Sequence, residues 1–253
     1  MATELQKGNL WKRISAGMFD SILMSMLALA VGCLLSFLLG YNTQNAKLDA
    51  CYDAYEQQYG VVFEISLEEY NAMTDTQRQN YDAACAAMSE APEVTATYQI
   101  VWNLSLVIIT LGILGATLVL EFAVPLLLGD GRTLGKKIFG LCVMHTDGIR
   151  INRMQLFVRT VLGKFTVETM VPVYLLLMLF WGIIDLTGTI VLFGLLIVQC
   201  VVMVVTKTNS MIHDLLAGTV VADFASQRIF RSREELIEYQ KALAAERAMR
   251  QDY

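Results

Sequence analysis

Charged residues are scarce. Asp, Glu, Lys and Arg make up 17% of the 253 residues, against 55% hydrophobic, whereas a soluble domain carries about a quarter charged. The deficit lies in long apolar runs, which argues against an ordinary soluble domain and for a bilayer. A basic stripe with interleaved aromatics is missing as well, so nucleic acid is not an expected partner. Histidine occurs only at His145 and His213, and the five cysteines are scattered as Cys33, Cys51, Cys85, Cys142 and Cys200. Neither set makes an expected metal site, and no cofactor is implied. Gly129 to Lys136 has the wrong glycine spacing for a phosphate loop, with Lys137 where Ser or Thr should stand. No nucleophile–base pair stands out, so an enzyme is not expected. A cleavable leader is not expected either: the first apolar run begins after Arg13 and lacks a small-residue cleavage site.

What is present reads as four spans. The first covers 14–40, interrupted by Asp20, and the second 98–128, with Glu121 and Pro125 near its end. Residues 165–206 are almost wholly apolar; as one helix they would reach ~63 Å, about twice the hydrocarbon thickness. Gly182, Asp185 and Gly188 at the middle favour a hairpin of two spans, about 166–184 and 187–206. Lysine and arginine set the orientation. The 1–13 arm, the 129–164 connection and the 207–233 segment hold 3, 7 and 4 of them, while 41–97 holds 2 against 10 acids. Both termini and the second connection are therefore expected in the cytoplasm and 41–97 outside, in a multi-pass protein of the plasma membrane. Trp11, Tyr41, Tyr98, Trp102 and Trp181 fall near the expected interfaces.

In the outer loop, Ser66 with Glu69 and Thr74 with Gln77 fit the capping box, predicting a helix over about 75–90; a second is expected over about 47–59. Cys51 and Cys85 are the cysteines placed outside, where a disulfide is permitted. Bonded, they would close a loop worth roughly 4 kcal/mol. On the inner side, 138–152 alternates around Asp147-Gly148, a hairpin signal, and Thr219-Val220-Val221 is a candidate third strand. Arg153–Lys164 has the composition of an interfacial helix, and Leu215–Gly218 the look of a second one's end. Ser232 with Glu235 opens a C-terminal helix. The expected fold is thus an all-α integral membrane protein of four transmembrane helices, with a helical extracytoplasmic loop and a small cytoplasmic β-hairpin or sheet. Its segments are the arm 1–13, spans 14–40 and 98–128, the outer loop 41–97, the hairpin and interfacial helix 129–164, the paired spans 165–206, the segment 207–231 and the tail helix 232–253.

A carboxylate inside an apolar span costs ~2.5–3.5 kcal/mol on insertion scales, so Asp20 is expected to face the bundle and find a partner or a proton. Arg13 lies two helical turns before it, on the same face. Glu121 has a comparable depth, Glu168 opens the third span, and Asp185 reads as an outer turn. Arg13 to Asp20, with Ala16 between, resembles the R-x-x-A-x-x-x-D opening of the RDD family. Thr133-Leu134-Gly135-Lys136-Lys137 through Val143 is similar to that family's T-x-G-K-[KR]-x-x-G-x-x-V run, and His213-Asp214-Leu215-Leu216-Ala217-Gly218-Thr219-Val220-Val221 to its closing H-D-x-x-A-G-T-x-V. The resemblance covers roughly 10–224 and assigns the eponymous Arg and two Asp to Arg13, Asp20 and Asp214. It implies transport of an unestablished ligand, with cation/proton exchange proposed for some members. The long cysteine-bearing loop and the charged tail depart from a minimal member.

Two functions follow. In one, Arg13, Asp20, Glu121, His213 and Asp214 form an ion or proton site, with Arg132, Lys136, Lys137 and Arg159 as a cytoplasmic basic motif. In the other, the same Arg/Asp/Asp network is structural and the protein is a scaffold or accessory subunit. The expected partners are the bilayer, a small cation or proton, and a second copy or another membrane protein; Gly112, Gly115 and Ala116 offer a small-residue face for the latter.

Overall fold

The computed structural model describes residues 8–170, 186–206 and 208–251, and it is mostly helical. Two of the described helices are long and apolar enough to cross a membrane, Leu10–Leu38 and Pro92–Leu128. The first, α1 (Leu10–Leu38), starts where the Asn9 side chain accepts a hydrogen bond from Trp11 N at 2.9 Å. It turns Met18, Met26 and Leu29 outward, each more than 60% exposed, the surface a lipid-facing helix presents. It ends before Gly40, whose positive φ of 68° lets the chain turn into α2 (Tyr41–Tyr59).

The chain divides into two compact units, Ala30–Leu111 and the remainder. Within the first, α2, α3 (Leu67–Ala72) and α4 (Asp75–Glu90) follow one another. Both expected capping boxes are formed: Ser66 with Glu69 opens α3 and Thr74 with Gln77 opens α4. Leu48, Val94 and Val101 make the buried cluster, with Tyr41, Tyr52 and Cys51 against it. The expected disulfide is not there. Cys51 and Cys85 are free thiols; Cys51 joins this apolar cluster, whereas the Cys85 thiol lies against Tyr81.

The second unit is wound differently from a plain bundle. Helix α5 (Pro92–Thr117) passes into a π-helical stretch, Leu118–Ala123, before α6 (Val124–Leu128). Pro125 has no N–H to donate to the carbonyl of Glu121, and the wider turn absorbs that loss. After α7 (Leu134–Ile138) comes β1 (Leu141–His145), then α8 (Arg153–Phe157), which runs on into a longer π-helical segment, Val158–Glu168. This segment ends at Glu168, within the first residues of the expected third span, and Met170 takes a φ of 53°. Residues 171–185, which carry most of that span together with Trp181, Gly182 and Asp185, lie outside the described residues. Leu186–Val205 forms α9, within the expected fourth span; at 1.5 Å per residue it is ~30 Å long.

The sheet differs from the expected hairpin. His145 N bonds to Ile149 O at 2.8 Å across the Asp147-Gly148 turn, but the returning arm makes isolated bridges and no strand: Met144 with Arg150, and Ile149 with Phe230. The regular partner of β1 is β2 (Thr219–Asp223), antiparallel, with Val143 opposite Val221 and His145 opposite Thr219. The return arm is diverted at Asn152, which caps α8. In both strands every residue but the last is buried, packing on Ala16 on one side and Ile229 on the other. Between them α10 (Ile212–Ala217) leads into β2 through Gly218, at φ 62°. The C-terminal α11 (Arg233–Gln251) begins after Ser232; its Leu236 is buried, and its half-buried Tyr239 meets Phe230.

Candidate functional site

A cavity of about 690 Å³ is lined by side chains from α1, the two π-helical segments, α7, α9 and α10. It brings together residues far apart in sequence and nearly all of the charge in the apolar part of the chain.

Asp214, at the start of α10, is fully buried. Its Oδ1 accepts from Arg159 Nε at 2.9 Å and lies 2.8 Å from Arg159 Nη2, while Oδ2 faces Arg13 Nη2 at 3.4 Å. Arg13 also donates to the Thr208 carbonyl at 3.1 Å. Burial by itself would raise the Asp214 carboxyl, but the Arg159 and Arg13 guanidiniums outweigh it and hold it well below the ordinary carboxylate range. Beside it, His213 Nδ1 is 2.8 Å from Glu168 Oε1, and that same oxygen accepts from His213 N at 2.9 Å. His213 Nε2 is 3.1 Å from Arg159 Nη2. Arginine only donates, so Nε2 is the acceptor and the imidazole proton sits on Nδ1, toward Glu168.

The π winding makes this possible. Arg159 and Glu168 are nine residues apart, about 2.5 turns of an α-helix, which would set them on opposite faces. With bonds reaching five residues back, nine residues make about two turns, and both side chains meet His213. Gly163 lies between them on that face, where a Cβ would come within 2.8 Å of His213 Cβ. Glycine there lets α10 seat directly on the π-helical backbone.

Asp20 is held by another device. Its carboxylate accepts from the Thr133 hydroxyl at 2.5 Å and from Gly135 N at 2.8 Å, tying α1 to the first turn of α7. Gly135 has no room for a side chain: a Cβ would sit 2.4 Å from the Ala16 carbonyl oxygen and 2.9 Å from the Asp20 carboxylate. Glu121, projecting from the π-helical turn before Pro125, is ion-paired with Lys164. Lys136 Nζ reaches Thr133 Oγ1 at 3.3 Å. Burial lowers Lys136 to about 8, helped by Arg159 and Lys164 and opposed by Glu121 and Asp20.

The structure therefore brings Arg13, Asp20, Glu121, His213 and Asp214 to one cavity but pairs them in its own way. Arg13 bonds to Asp214 and not to Asp20. The four residues read as one basic motif separate. Arg159 is buried at the centre of the network, Lys136 lines the cavity, Lys137 is exposed, and Arg132 pairs with Asp130 and stacks 4.3 Å above the Phe224 ring. Lys164 and Glu168 are site residues that a period of 3.6 hides; the signal was their charge inside a mainly apolar stretch. Among the described residues no group of His, Cys, Asp and Glu could hold a metal ion.

A family model, that of the RDD family, matches residues 7–218. No curated protein and no solved structure gives a match.

Proposed function

The chain belongs to the RDD family, and from that premise we propose that it is a four-span protein of the plasma membrane that exchanges protons, with a small cation as the counter-ion, through this cavity. The observation that carries the reading is the 690 Å³ space lined by Asp20, Glu121, Glu168 and Asp214 with their basic partners. Buried ionisable groups at membrane depth are costly, and they mark ion and proton paths more often than bare structure. The acids divide the work. Asp214, clamped by Arg13 and Arg159, stays ionised and fixes the frame. Glu168 and His213 share a proton between Oε1 and Nδ1 at 2.8 Å, the arrangement of a shuttle. Asp20, whose described hydrogen bonds come from neutral donors, is the carboxylate left to take a cation or a proton.

The orientation in this proposal rests on the 14 lysines and arginines of the inner segments against 2 in the outer loop. Small size supports assembly with a second copy or with another membrane protein; the small-residue face of α5 does not, because Gly112 and Ala116 are already buried within the chain. A second reading is favoured by the full burial of Asp214 between two guanidiniums: a structural staple joining α1, the π-helical segment and α10 in a scaffold that moves nothing. Proton flux into proteoliposomes under imposed cation gradients separates the two. The exchange reading expects cation-driven flux that disappears in Asp20→Asn and Glu168→Gln while both variants stay folded. A silent wild type under every cation leaves the staple.

A further inference from the structure

The charges in the cavity are not evenly spent. Asp20, Glu168 and Asp214 each give acceptor capacity to neutral donors: Thr133 and Gly135, the His213 N–H, and the Met211 N–H with the Thr219 hydroxyl. Ammonium donors are left over. An ammonium has three; Lys164 engages Glu121, and Lys136 has, among the described residues, the single long bond to Thr133 Oγ1 and no carboxylate at ion-pair distance. A partly buried cation with idle donors is best satisfied by an anionic oxygen. The depressed value of Lys136, about 8, agrees with an ammonium lacking such a partner. Part of the lining of the same cavity is apolar and exposed: Ile14, Met18 and Ile22 of α1 line it and are 38%, 63% and 60% exposed. Basic groups beside an apolar wall match a headgroup joined to an acyl chain.

We propose that this cavity binds a phosphate-bearing anion, with Lys136 and Lys164 holding the phosphate oxygens and Ile14, Met18 and Ile22 flanking the acyl chain of a phospholipid source. The site shares its cavity with the exchange reading but requires no turnover, so binding is measured without flux. A protein that binds and moves no protons keeps this assignment and loses the other.

The test uses the full chain, delipidated in detergent, with phosphatidylglycerol, phosphatidylcholine or inorganic phosphate added and affinity read by native mass spectrometry. Phosphatidylglycerol is expected to bind, Lys136→Gln to weaken it about tenfold or more, the loss of one charge-assisted contact, and Lys136→Arg to restore it. Lys137→Gln, on an exposed neighbour, leaves it unchanged. Inorganic phosphate that competes identifies a soluble source; phosphate that does not identifies the lipid. Because the anion selects protonated Lys136, wild-type affinity should fall about fivefold from pH 8 to pH 9 and stay level in Lys136→Arg, a reading that survives even if Lys136→Gln fails to fold. Equal binding of the two lipids without phosphate binding, full affinity in a folded Lys136→Gln, or an identical pH profile in wild type and Lys136→Arg overturns the proposal.

Discussion

A single carboxylate decides most of the energetics of the larger unit. Asp214 has no exposure and faces two guanidiniums, so removing its charge strands both. Asp214→Asn should cost about 3–5 kcal/mol, read as a lower unfolding midpoint in detergent. Asp223→Asn, which breaks the surface pair with Lys12 at 2.6 Å, should cost under about 1 kcal/mol. The contrast is the test: equal losses would mean that the buried network is not what holds the unit. The pH dependence has a definite sign. The folded Asp214 carboxyl lies below its ordinary value, so its stabilisation is complete above about pH 4 and drains away as pH falls further. The gap in midpoint between wild type and Asp214→Asn should accordingly be constant from pH 7 to about pH 5 and narrow below pH 4. A gap that widens on acidification would contradict the assignment.

Where one element meets another, Gly163 does what no larger residue can. Gly163→Ala places a methyl 2.8 Å from His213 Cβ, so α10 must lift from the π-helical segment, at a cost of about 1–3 kcal/mol. Gly17→Ala is the control. Its Cβ meets nothing within 4 Å, and in a helix interior alanine should be neutral or up to about 1 kcal/mol better. Thermal unfolding of the two variants should move in opposite directions, or Gly17→Ala not at all; a parallel fall would discount the close approach at Gly163. These contacts also mark how far the sequence could be read. The capped helices of the 41–97 loop were legible because Ser66, Thr74 and their N3 partners are local signals. Asp20 was legible as a costly charge in apolar surroundings, Arg13 by its two-turn spacing from it, and Asp214 only as a motif position. Their pairing was not, because Arg159 and Glu168 share a face only under π winding, and nothing in a 3.6-residue period announces it. The strand order failed for a related reason: Asp147-Gly148 does turn the chain, but the Asn152 cap withdraws the returning arm and leaves the pairing to Thr219–Asp223, a partner some seventy-five residues away in sequence.

At the scale of the whole molecule the sidedness of each segment is measurable, and it decides whether the crossings between two sites are even or odd in number. The T-x-G-K run on α7 and the tail helix α11 belong to the same compact unit, and the four-span proposal has an even number of crossings between them. The proposed orientation expects Lys47 on one side of the bilayer and Lys137 and Glu238 together on the other. All three are exposed, so Lys47→Cys, Lys137→Cys and Glu238→Cys in a cysteine-free background give clean reporters. An impermeant maleimide should label Lys47→Cys in intact cells, and the other two only after permeabilisation. Labelling of Lys137→Cys and Glu238→Cys alone in intact cells would invert the orientation while keeping the number of crossings between those two sites even. Opposite behaviour of those two sites would mean an odd number of crossings between them. That result would put β1 and β2 on different sides of the membrane, incompatible with the ladder from Leu141–Asp223 to His145–Thr219, so the labelling tests the sheet and the topology in one experiment.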